Sequence, residues 1–158
     1  MFKRLAAAFG PKTSQPNLPA LQDIAAKAVA GDVMDLQDGE WEDRTWVYIA
    51  INHEISPEDG LRSSTQAAVL ASRPGGQLEQ LGFRLSMATK QKLLALRDAM
   101  TRPGEGPWTV LDLTMTPDGR YDFRFSHAEP PRLSGDLLHR PLANLLQHYE
   151  MQQRESRS

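Results

Sequence analysis

The sequence predicts an α+β domain: a mainly antiparallel sheet of about five strands, in the element order α-β-β-β-α-β-β-α, with helices packed on the sheet. Two periodicities alternate along the chain, apolar residues recurring at helical spacing in some stretches and at every second position in others. The connections between the alternating stretches are short and rich in proline and glycine, which favours hairpins over crossovers. A length of 158 residues, with 40% hydrophobic and 24% charged, suits one domain with a core of its own.

Residues 1–17 read as an N-terminal arm and linker. Met1-Phe-Lys-Arg has a basic start, but the apolar run that follows stops at Gly10-Pro11, too short for a signal peptide. The domain is expected over residues 18–151, with a polar, fraying tail at 152–158. Leu21, Ile24, Ala25, Ala28 and Val29 mark the first helix, with Pro19 in its first turn and Gly31 as its stop. Thr45 to Ile55 is dense in aromatic and β-branched residues and forms a strand, with Val47, Ile49 and Ile51 on one side and Trp46 and Tyr48 on the other. A weaker strand follows around Thr65 to Ser72, then a turn at Pro74-Gly75-Gly76, then a third strand in Gln77 to Leu85.

Ser86 is the N-cap of a second helix whose Leu93, Leu96 and Met100 face the core, its basic residues occupying the other side. Pro107 to Thr116 alternates Leu111, Leu113 and Met115 against Trp108, Val110, Asp112 and Thr114. Thr116-Pro117-Asp118-Gly119 then turns the chain into Tyr121, Phe123 and Phe125. Leu138, Leu142, Leu145, Leu146 and Tyr149 form the stripe of a last helix, Pro141 fitting only in its first turn.

The absence of cysteine excludes disulfides, thiolate metal sites and a cysteine nucleophile. A formal net charge of −2 supplies no field for nucleic acid, and no segment approaches the length of a membrane span. The expectation is a soluble cytoplasmic protein with no cofactor. His53, His127, His139 and His148 share no metal-ligand spacing and read as surface or strand-end residues, and no serine sits in a nucleophile's turn. The chain is therefore expected not to be an enzyme but to bind another protein.

One segment stands out as a candidate partner-binding site: Asp38, Glu40, Trp41, Glu42 and Asp43, a tryptophan among acids in a loop. Tryptophan is enriched at binding hot spots, and the carboxylates would steer a basic partner. The other reading is a solvated turn whose tryptophan tucks back against the core.

Pro107-Trp108-Thr109, Leu111-Asp112-Leu113 and Asp118-Gly119-Arg120-Tyr121-Asp122-Phe123 together resemble the strand and hairpin signature of the YezG-like immunity proteins. Asp43-Arg44-Thr45-Trp46-Val47-Tyr48-Ile49 is similar to that family's first strand, so the resemblance spans Trp41 to Phe125. It implies a small cytosolic bacterial protein that neutralises a cognate toxin domain by stoichiometric contact, as monomer or homodimer, with no catalytic residues to carry over. Class I type III secretion chaperones share the expected order of elements and are the alternative. They hold an effector's N-terminal segment along the sheet surface.

Overall fold

The computed structural model describes residues 17–38, 41, 43–57 and 62–157. The elements are α1 (Leu18–Asp38), β1 (Thr45–Ile55), β2 (Ser63–Ser72), β3 (Glu79–Gly82), α2 (Met87–Met100), β4 (Val110–Met115), β5 (Tyr121–Ser126) and α3 (Leu145–Arg157). The five strands form one antiparallel sheet in the order β3-β2-β1-β4-β5, so the architecture is the α+β order read from the sequence. The proposed arm up to residue 16 lies outside the described residues.

Asn17 starts α1, its side-chain oxygen accepting from the Ala20 amide at 3.2 Å. The helix does not stop at Gly31 but runs on to Asp38. Val33 extends the stripe of Ala25, Ala26 and Val29, all buried, and this burial outweighs the roughly 1 kcal/mol that one helical glycine costs. Ser86 caps α2 as expected, accepting from the Thr89 amide at 3.1 Å. Its own amide donates to Asp32 at 2.9 Å, and the Thr89 hydroxyl donates to the Ala28 carbonyl at 3.3 Å, so the start of α2 is tied to α1.

Both helices lie on one face of the sheet. The core joins Ala25, Val29, Val33 and Leu93 to Ile49, Ile51, Val69, Leu111, Leu113 and Met115. Two tryptophans join this face against expectation. Trp46 pairs with Ala71 and Tyr48 with Leu70, leaving Val47 as the extra residue of a bulge that turns Trp46 onto the side of Ile49. Trp108 precedes β4 rather than alternating within it, and packs in the core with its ring 5.4 Å from Phe125. Arg97, expected on the solvent side of α2, is buried instead. Its Nε donates to the Trp108 carbonyl at 2.8 Å and an Nη2 hydrogen to the Ser56 carbonyl at 2.9 Å, tying α2 to the ends of β1 and β4.

The C-terminal part differs most. The last helix begins at Leu145, not near Pro141, and continues through the expected tail to Arg157. The residues before it, 131–144, form a chain of turns laid on the second face of the sheet. Among the described residues no helix is long and apolar enough to cross a membrane.

Candidate functional site

The second face of β1 carries Tyr48, Ala50, Asn52 and Glu54, because side chains alternate along a strand and Ile49, Ile51 and Ile55 point to the helices. Glu54 is fully buried, and an isolated carboxylate there would be costly. Its needs are met by the turn segment. Glu54 accepts from the amides of Arg132 at 3.2 Å and Leu133 at 3.0 Å, and the Arg132 guanidinium approaches it to 3.3 Å. Arg132, itself 8% exposed, also donates to the Ser64 hydroxyl at 2.8 Å and to the carbonyls of Ser64 and Asn52 at 3.1 and 3.2 Å. Burial draws its pKa below the ordinary guanidinium value while Glu54 acts in the opposite sense; a guanidinium keeps its charge at neutral pH.

Two glutamines fasten the rest of the segment. Gln66 on β2 donates to the His139 carbonyl at 3.1 Å. Gln80 on β3 donates to the Leu142 carbonyl at 2.8 Å and accepts from the Leu146 amide at 3.0 Å, which fixes the start of α3. Carbonyls that a helix would use internally are thus taken by the sheet, and Pro141 has no amide to offer in return. Tyr149 completes the cover with its ring 5.1 Å from Tyr48.

At one turn this anchored segment presents two leucines to solvent. Leu137 and Leu138 are 76% and 81% exposed, at a turn closed by the Leu138 amide donating to Asp136 at 3.3 Å. Between the segment and β2–β3 lies an open groove of about 680 Å³, lined by Gln66, Ala68, Gln80, Phe83, Arg140 and Leu142 among others. Neither leucine was singled out as exposed in the sequence, where Leu138 falls on the stripe of the expected helix. The signal that could have found the segment is Glu54 itself, an acid inside the apolar run of β1 that demands a partner.

In the acidic loop the tryptophan is not displayed. Trp41 is 5% exposed and belongs to the core, its amide donating to the Leu36 carbonyl at 3.1 Å. The indole tucks back against the core and offers no free face. Asp43 is exposed, with Arg73 at 3.8 Å. The Asp38 side chain, Glu40 and Glu42 lie outside the described residues.

His53 is also buried, not at the surface, with Nδ1 2.8 Å from the Thr65 hydroxyl. Burial, with the charges of Lys90 and Arg132 acting in the same sense, lowers its pKa to about 4, so the imidazole is neutral in the fold. Among the described residues no group of three or more His, Asp or Glu could hold a metal ion. Comparison with known proteins finds no matching family model and no matching curated protein.

Proposed function

We propose that this chain neutralises a bacterial toxin domain by stoichiometric contact, and that the 131–144 segment is its contact surface. One observation carries the reading: a non-helical segment is locked to the sheet by Glu54, Gln66 and Gln80 while Leu137 and Leu138 stand more than three-quarters exposed. A locked loop loses little further entropy on binding, and each leucine buried by a partner contributes about 1.5–3 kcal/mol. The resemblance of the Trp41–Phe125 region to the YezG-like immunity proteins supplies the kind of partner. Asp43, exposed beside this region's first strand, adds charge that would steer a basic toxin surface.

The test is co-expression with the toxin encoded beside this chain's gene, followed by calorimetry on the purified pair. A one-to-one complex is expected, and L137S/L138S should weaken it by about 100-fold or more while leaving thermal stability unchanged. Full protection by the double variant would remove the segment from the contact, and no complex with any neighbouring toxin would remove the function.

The order of elements and the groove beside β3 favour a second reading, a secretion chaperone. An extended effector segment would then lie along the groove. Gln80→Ala and Phe83→Ala would weaken its binding, and the leucine variant would not.

A further inference from the structure

The two edges of the sheet differ. β3 has four residues, and its Gln80 is engaged by the C-terminal segment. β5 has six residues and, among the described residues, only β4 beside it. A strand edge of this kind is a template for another strand unless it is blunted.

The pattern along β5 is self-complementary. The Thr116 amide donates to the Arg120 carbonyl at 3.0 Å, and β4–β5 continues in register with Thr114 opposite Asp122 and Asp112 opposite Arg124. Since antiparallel ladders alternate, the main chain of Arg120, Asp122 and Arg124 turns toward β4, and that of Tyr121, Phe123 and Phe125 turns to the open side. These three aromatics form a half-buried ladder, Tyr121 edge-on to Phe123 at 5.6 Å and Phe123 stacked on Phe125 at 5.7 Å. On the opposite face Asp122 and Arg124 are 63% and 83% exposed and 3.2 Å apart.

We propose that β5 pairs with β5 of a second copy of this chain, antiparallel about a two-fold axis through Phe123, joining the two sheets. In that register the outward main-chain groups of Phe123 meet those of the other Phe123, and those of Tyr121 meet those of Phe125. Each Asp122 falls opposite Arg124 of the other copy, at the closely spaced, non-hydrogen-bonded position where side chains approach most. The aromatic ladder runs on across the junction. Moving the centre one residue either way sets Asp122 against Asp122, or Arg124 against Arg124. Charge therefore disfavours both neighbouring registers, which a randomly charged edge would not do.

The experiment is analytical ultracentrifugation of the full chain at micromolar concentration, for the wild type and for D122R, R124D and D122R/R124D. Both side chains are exposed, so an unchanged circular dichroism spectrum and a cooperative melt serve as the folding control, the melting temperature itself following the loss of the dimer. The wild type is expected to be a dimer. D122R places only cations at the junction and R124D only anions, so each weakens dimerisation by about tenfold or more. An equimolar mixture of the two single variants re-forms a dimer, and the double variant, with the charges exchanged, dimerises like the wild type. A monomeric wild type overturns the proposal. So does a dimer that both single variants keep, which places the interface elsewhere, or a mixture of the two that stays monomeric.

Discussion

The buried carboxylate of Glu54 on β1 and the guanidinium of Arg132 meet at 3.3 Å across the second face of the sheet, 78 residues apart in sequence. The pair converts a strand that would otherwise expose a half-apolar face into a platform for the 131–144 turns. Removing one partner of a buried pair leaves the other uncompensated. Arg132→Met is expected to lower stability by about 3–5 kcal/mol. It should also raise amide exchange across residues 133–144 more than in β4. Denaturant titration and hydrogen exchange check this; a loss below about 1 kcal/mol would mean the turns are held by other contacts.

Trp41 tests the acidic loop. Because its indole is in the core, Trp41→Ala is expected to destabilise by about 3–5 kcal/mol. Leu113→Ala, at a fully buried position of β4, should cost about 2–5 kcal/mol. A Trp41→Ala protein that unfolds like the wild type in urea would return the tryptophan to the surface.

The strand cores were legible because their information is local. Thr45–Ile55 is read correctly from its β-branched and aromatic density, and the β4–β5 hairpin from Pro117, Asp118 and Gly119. Ser86 announces α2 for the same reason. The faces of Trp46 and Trp108 were not legible, since a bulge at Val47 and a strand beginning only at Val110 shift parity without any mark in composition. The stripe from Leu138 to Tyr149 is a valid helical pattern, yet its first half is turned by carbonyl contacts to Gln66 and Gln80, far away in sequence. The candidate surface fell in this non-local part, whereas the acidic loop, conspicuous by composition, folds its tryptophan inward.

Two glycines are expected to respond to alanine with opposite signs. Gly31 lies inside α1, and an added Cβ would meet nothing within 4 Å, so Gly31→Ala should stabilise by about 0.5–1 kcal/mol through helix propensity. Gly119 is equally open but holds φ at +92° in the hairpin, a conformation an L side chain resists. Gly119→Ala should therefore cost about 1–2 kcal/mol. Melting temperatures of the two variants moving in the same direction would contradict this account.

The last prediction concerns acid. His53 is neutral in the fold because burial removes the water its charged form requires, and Lys90 and Arg132 oppose a further positive charge. Its pKa falls from 6.5 to about 4 on folding, so between these values the unfolded chain holds a proton that the folded chain does not. Stability then rises with pH across that window. The contribution is fully present above the unfolded value and is lost as pH falls toward the folded one. The slope approaches about 1.4 kcal/mol per pH unit, amounting to a loss on the order of 3 kcal/mol at the acid end. His53→Gln keeps a polar group for the Thr65 hydroxyl and cannot titrate. Urea denaturation of both proteins at a series of pH values from neutral down to about pH 5, above the carboxylate range, separates this effect from other acid-sensitive groups. The wild type is expected to lose stability more steeply than the variant. Parallel profiles would mean that His53 takes up its proton without leaving the core, by a rearrangement that hydrates the imidazole next to Thr65.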